Sequence, residues 1–250
     1  MKALITGASS GIGKDMAVVL NKMGYDLILV SRSRDKLEQL SKSLNGNIKI
    51  VPLDLSEPKA CFELYEMTKD EGIDVLINNA GYAAFGEFCK TPLETELNLI
   101  DLNIKAVHIL SKLFLKDFIE KDKGYILNVA SVAGVLGGGP LLSSYYASKA
   151  YVVRLSQAIY EELRRRGSHV SVSVLCPGPV DTNFNERAGV RFAVKGMNSL
   201  DVAKYAIDSM LKGKLMIFPG AKTKAGAFLR RFAPEKLLLR LTYDFQKAKE

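Results

Sequence analysis

Thr6-Gly7-Ala8-Ser9-Ser10-Gly11-Ile12-Gly13 follows directly on the apolar run Ala3-Leu4-Ile5. It opens into a stretch whose apolar residues Ile12, Met16, Val19 and Leu20 recur at helical spacing. Strand, glycine turn and helix in that order bring an anion to backbone N–H groups at a helix N-terminus, where dipole and open donors favour it. Residues without a Cβ are needed there, because the turn is tight and a phosphate approaches the backbone closely. Gly7, Gly11 and Gly13 supply them. Their G-x-x-x-G-x-G spacing differs from the G-x-G-x-x-G of other dinucleotide folds, so the remainder of the chain has to carry the reading.

Outward from this turn, apolar runs of strand length alternate with helix-length periodic segments, which predicts a parallel sheet covered by helices on both faces. Strands are expected at 3–6, 26–31, 48–52, 75–78, 125–129, 170–175 and 215–218, seven in one sheet. Their unbroken Val, Ile and Leu character is what burial on both faces demands. Ser56 is expected to cap a helix carrying Pro58 in its first turn, and Ser143 and Ser144 to cap a later one. The run Arg164-Arg165-Arg166-Gly167 reads as a solvated helix end, cations complementing the dipole before a left-handed glycine. No Pro-, Gly- or Ser-rich linker divides the chain. The expected organisation is a catalytic domain over residues 1–220 and a helical extension over 221–250.

Three further segments accompany the glycine turn: Asn78-Asn79-Ala80-Gly81, Tyr145-Tyr146-Ala147-Ser148-Lys149, and Cys176-Pro177-Gly178-Pro179-Val180-Asp181-Thr182. Together they make the sequence similar to the classical short-chain dehydrogenase/reductase family from Met1 to about Phe218. The resemblance implies a Rossmann-type doubly wound α/β fold and an oxidoreductase that interconverts a carbonyl and an alcohol by hydride transfer. It assigns Gly7, Ser9, Ser10, Gly11, Ile12 and Gly13 to the cofactor phosphates. Asp54 and Leu55 go to the adenine, and Asn79, Ala80 and Gly81 to the adenosine ribose. Pro177, Gly178, Val180 and Thr182 go to the nicotinamide. Asn78 and Gly81 are equally readable as structural, an amide tying strands together and a turn glycine.

Where the family carries an acidic residue after its second strand to read the ribose hydroxyls of NAD, this chain has Ser31-Arg32. A guanidinium pairs bidentately with a phosphate, so Arg32, helped by the Ser10 hydroxyl, is expected to select NADP(H).

Tyr145 and Lys149 are four apart, one turn of helix, and project from one face. A free phenol, with a pKa of about 10, relays protons poorly at neutral pH, and an adjacent ammonium is expected to bring it down. Tyr145 is the expected acid/base; Lys149 tunes it and holds the nicotinamide ribose. Tyr146 lies out of register and is assigned to packing. By the resemblance, Ser131 hydrogen-bonds the substrate oxygen and Asn103 orders a water behind Lys149, completing a tetrad of Asn103, Ser131, Tyr145 and Lys149. Ser131 precedes Tyr145 by fourteen residues, one more than the resemblance leads one to expect, so Gly137-Gly138-Gly139 reads as holding an insertion. Leu136, Leu141 and Leu142, with Phe184, Val190, Phe192, Val194 and Met197, are candidate walls of a lipophilic substrate pocket.

Composition bounds the partners. Hydrophobic residues at 48% and charged residues at 25% describe a folded globular chain rather than a disordered or fibrous one. Of 35 basic and 27 acidic residues, eight basic and three acidic fall in 221–250, so the excess marks the tail and disfavours nucleic acid as partner. In that tail Leu237, Leu238, Leu241 and Phe245 form a stripe, with Lys236, Arg240, Asp244 and Lys247 away from it. The helix is expected to pack on its own domain or a neighbouring subunit, with peripheral membrane contact the alternative. Cys61, Cys89 and Cys176, with His108 and His169, lack metal-ligand spacing, and no metal is expected. The uncharged stretch 124–148 contains too many glycines and serines, and Pro140, to span a bilayer. A cytoplasmic homodimer or homotetramer acting on a small carbonyl or alcohol is the expectation; the alternative is a non-catalytic NADP(H)-binding regulator.

Overall fold

The computed structural model describes residues 1–182 and 196–247 of the chain. Its strands are β1 (Lys2–Thr6), β2 (Asp26–Ser31), β3 (Ile48–Pro52), β4 (Val75–Asn78), β5 (Tyr125–Val129), β6 (Ser171–Leu175), β7 (Val180–Asp181), β8 (Met197–Asn198) and β9 (Met216–Ile217). Seven of them form one sheet in the order β3-β2-β1-β4-β5-β6-β9, all parallel, while β7 and β8 pair as a separate ribbon. The Rossmann-type doubly wound α/β fold expected from the sequence is the one observed.

Both faces of the sheet are buried, and the side chains alternate between them. Ala3, Ile5, Leu27 and Leu29 join one core with residues of α1 (Gly11–Lys22) and α2 (Arg34–Ser41). Leu4, Ile28 and Val30 join the other, with residues of α3 (Pro58–Thr68) and, further along, the helix that ends near residue 120. That helix is assembled from α4 (Leu93–Ile100), a π-helical turn (Asp101–Ala106) and α5 (Val107–Glu120). Beyond β5 run α6 (Ser143–Arg165), α7 (Ser199–Leu211), α8 (Ala221–Leu229) and α9 (Glu235–Lys247). No helix among the described residues is long and apolar enough to cross a membrane.

Several local expectations are corrected. Glu57, not Ser56, occupies the N-cap of α3, because the Ser56 hydroxyl donates to Asp54 Oδ1 at 2.8 Å. Ser143 and Ser144 lie inside α6, whose N-cap is Leu142. The arginine run does close α6: Gly167 takes φ +65°, and Arg164 and Arg165 both pair with Glu161. In α9 the expected apolar stripe is not the buried side. Gln246 is the buried residue, Leu238, Leu239 and Thr242 are half-buried, and Leu237, Leu241 and Phe245 face solvent.

The topology reverses direction between β1 and β4, with β2 and β3 on one side and β5, β6 and β9 on the other. A crevice opens at such a switch point outside the carboxyl ends of the strands, and all three motif segments beyond the glycine turn leave from those ends or border them.

Candidate active site

Thr6, the last residue of β1, welds the loops on either side of the switch. Its hydroxyl accepts from the backbone N–H groups of Asn79 and Ala80, each at 3.0 Å, and Asn79 Nδ2 donates back to the carbonyls of Thr6 at 3.0 Å and Gly7 at 3.2 Å. This crowding explains two of the glycines. A Cβ on Gly7, at φ +66°, would stand 2.8 Å from Asn79 Nδ2; one on Gly13 would stand 2.3 Å from the same atom and 2.5 Å from Gly7 O. Gly13 therefore lies behind the turn, packed rather than open to the crevice. Gly13→Ala is expected to displace the turn, lower Tm and weaken cofactor binding at least about tenfold, since overpacking a filled site costs about 1–3 kcal/mol. Thermal unfolding and fluorescence titration with the cofactor check both effects.

The crevice is a cleft of about 1210 Å³. At one end it is lined by Gly7, Ser9, Ser10, Gly11, Ile12, Arg32, Asp54, Leu55, Asn79, Ala80 and Gly81, in the middle by Ser131, Tyr145 and Lys149, and alongside by Pro177, Gly178, Val180 and Thr182. Arg32 stands 3.6 Å from Asp54, both exposed, and Asp54 Oδ1 accepts from Ser56 N and Oγ. Ser31 Oγ, in the same wall, is buried with no hydrogen-bond partner among the described residues. Ser10, the N-cap residue of α1, makes no side-chain capping bond. Glycines without side chains at the N-terminus of α1, an unpartnered hydroxyl and a guanidinium at the rim fit a nicotinamide dinucleotide.

Tyr145 and Lys149 project from α6 onto the floor of the cleft. Ser131, extended at the end of β5 with φ −168°, accepts from Ala133 N at 3.1 Å and is hydrogen-bonded to Tyr145. Lys149 Nζ donates to Val129 O at 2.9 Å and lies 5.9 Å from the Tyr145 ring centroid. Burial drives both titrations: it pushes the Tyr145 phenol up to about 12, against the pull of Ser131, and draws the Lys149 ammonium down to about 8. The expected lowering of Tyr145 by Lys149 is thus not what the cleft gives: desolvation raises the phenol, and the pull against it comes from Ser131. Cys176, buried beneath, is likewise lifted to about 12 by desolvation.

Asn103 does not line the cleft. It sits fully buried in the π-helical turn, accepting from Tyr82 N at 3.1 Å and donating to Tyr82 O at 2.9 Å and Ser148 Oγ at 3.1 Å. A Cβ on Gly81 would lie 2.8 Å from Asn103 Oδ1 and 3.3 Å from Lys149 Nζ, so a side chain there would crowd both groups. Asn78 is structural, donating to Ser111 Oγ and Asn128 Oδ1.

At the substrate end, Leu136 and Leu142 line the cleft, but Leu141 and Met197 do not. Leu141, at φ +64°, accepts from Gly86 N, and Met197 packs against the main core. Phe184, Val190, Phe192 and Val194 lie outside the described residues. What sequence reasoning missed is the tail. Leu238, Leu241, Thr242, Phe245 and Gln246 of α9 wall the cleft, and Gln246 Nε2 donates to Tyr146 Oη at 2.8 Å. The glycine run is the seat for this helix: a Cβ on Gly137 would meet Glu235 Oε1 at 2.7 Å, and one on Gly138 would meet Leu239 at 3.1 Å. Arg230 adds a donor to Val135 O.

A family profile described as short chain dehydrogenase matches residues 1–190. An uncharacterized oxidoreductase of Staphylococcus aureus is 32% identical over 185 residues, 72% of this chain and 78% of its own. Among solved structures, a short-chain dehydrogenase from Sphingobium yanoikuyae in complex with NADPH superposes with a TM-score of 0.83 at 29% identity, covering 95% of this chain and 94% of that one. A Burkholderia phymatum short chain dehydrogenase/reductase in complex with NAD gives 0.84 at 24% identity over 92% of each chain, a likeness of fold. Glycine turn, welded switch point and the Tyr145–Lys149 pair thus occur in a chain whose profile match spans all four of its motifs. The protein is an oxidoreductase of the classical short-chain dehydrogenase/reductase family.

Proposed function

We propose that the protein is an NADP(H)-dependent carbonyl reductase, working reversibly on ketones or aldehydes with bulky apolar substituents. The observation that carries the reading is the joining of Tyr145, Ser131 and Lys149 on the floor of one cleft whose far rim is Arg32. Residues 1–220 would form the catalytic unit and 221–250 an extension that walls its substrate end. When bound, the nicotinamide cofactor gives or takes a hydride at C4 of its ring.

The rest falls to the chain's own side chains. Gly7, Ser9, Gly11 and Ile12 cradle the pyrophosphate on the α1 N-terminus, and Arg32 with Ser10 holds the 2′-phosphate. Asp54 and Leu55 flank the adenine; Asn79, Ala80 and Gly81 wall its ribose. Pro177, Gly178, Val180 and Thr182 border the nicotinamide, and Lys149 holds its ribose. Ser131 donates to the substrate oxygen as charge develops there. Tyr145 gives that oxygen a proton in reduction and removes it in oxidation. Lys149, with its pKa of about 8, is an ammonium at neutral pH beside the phenol. Asn103 is a positioning residue, fixing Tyr82 and Ser148 on either side of Gly81 and Lys149. Leu136, Leu142, Leu238, Leu241 and Phe245 make the substrate end apolar.

NADPH and NADH oxidation across a panel from small diketones to aromatic and steroid ketones tests the reading. NADPH-dependent turnover favouring bulky members is expected. Arg32→Glu is expected to lower kcat/KM for NADPH by about 10–100-fold while leaving NADH nearly unchanged, the worth of a lost charge-assisted pair. A wild-type preference for NADH, or no turnover of any member despite cofactor binding, would overturn it.

A further inference from the structure

Helix α9 presents three arcs, which follow from about 100° per residue. Gln246, Leu239 and Thr242 turn toward the domain, Lys236, Arg240 and Lys247 occupy one outward arc, and Leu237, Leu241 and Phe245 a second. That second arc adjoins Phe228, Leu229 and Phe232 in sequence, contributed by α8 and the turn after it. All six apolar side chains are between 46% and 75% exposed. Phe228 and Phe232 meet edge to face, with centroids 5.6 Å apart, so they form a ridge rather than scattered residues. Exposing this much apolar surface in one segment is costly in water and marks a docking face.

We infer that this face docks on an anionic phospholipid surface. Residues 221–250 carry eight basic and three acidic side chains. Among the described residues no carboxylate pairs with Lys236 or Arg240, whose arc neighbours the apolar one with Asp244 between them. An apolar stripe beside unpaired cations is the arrangement that inserts at a headgroup boundary. The same charge argues against a second copy as occupant, since two facing tails of one sign repel. Leu241 and Phe245 belong to this arc and also to the cleft wall, so the docked face borders the cleft mouth. The inference stands independently of the reaction proposed above.

Co-sedimentation of the full chain with vesicles tests it. The protein is expected to bind phosphatidylcholine vesicles carrying about one third phosphatidylglycerol at least about tenfold more tightly than phosphatidylcholine alone, and less tightly as salt rises. Two double variants outside the cleft, Phe232→Ser with Leu237→Ser and Lys236→Glu with Arg240→Glu, are each expected to weaken binding about tenfold with Tm unchanged. A full chain that stays in the supernatant with both vesicle types, or variants that sediment like wild type, would overturn the inference. So would gel filtration showing a dimer that the serine pair dissociates, which would give the face to a second copy.

Discussion

Replacing Tyr145 by phenylalanine is expected to lower kcat for carbonyl reduction by about 10²–10⁴-fold, the worth of a positioned proton donor, while cofactor Kd stays within about threefold. The size follows from what the phenol hydroxyl touches. It stands half-buried in the cleft floor, bonded to Ser131, with desolvation holding its pKa at about 12. A neutral donor is therefore present at every working pH, and its removal leaves Ser131 to polarise the oxygen without supplying a proton. Phenylalanine keeps the ring and its edge-on contact with Tyr146, at a centroid distance of 6.4 Å, so the fold should not move. Steady-state kinetics beside fluorescence titration separates the two quantities. Normal turnover with normal cofactor affinity would remove Tyr145 from the chemistry.

How much of this was legible in the sequence depended on whether the signal was local. The parallel strands were readable nearly to the residue, because runs buried on both faces have no polar alternation and end at glycine or polar turns. The turn at Gly7 and the pair Tyr145–Lys149 were readable because their chemistry requires fixed spacings. Gly137-Gly138-Gly139 was visible only as extra length. Its purpose lies about a hundred residues away, in Glu235 and Leu239, and no local pattern encodes that. The orientation of α9 was hidden for a related reason. Apolar periodicity shows that a helix is amphipathic, but Gln246 turns inward because its amide finds Tyr146 Oη. Ser56 failed as a cap since Asp54 competed for its hydroxyl. Gly13 was assigned by motif to the cofactor, whereas the structure packs it behind the turn; Asn103, read as ordering a water behind Lys149, bonds to Tyr82 and Ser148.

Lys149→Met is expected to separate function from stability in opposite directions. Activity should fall by about 10²–10⁴-fold, since the variant loses both the charge beside Tyr145 and the ribose ligand. Stability should not fall with it. The lysine pKa drops from 10.5 to about 8 on folding, because desolvation penalises the ammonium. Below pH 8 the folded protein therefore carries the full penalty, on the order of 3 kcal/mol at 1.36 kcal/mol per unit. Between pH 8 and about 10.5 the unfolded chain binds more protons at this site, so wild-type stability rises relative to the variant as pH increases. Methionine fills the same volume without charge, and the loss of the bond to Val129 O gives back about 1–3 kcal/mol. At pH 7 the variant should therefore melt at or a few degrees above the wild-type Tm. By pH 10 the folded protein's lysine is largely neutral, most of the penalty has gone and the lost bond remains, so the order should invert. Calorimetry of both proteins at pH 7 and pH 10 reads that difference directly. A variant that melts well below wild type at pH 7, by the same margin at both pH values, would mean that Lys149 is a structural anchor and that its charge carries no stored cost.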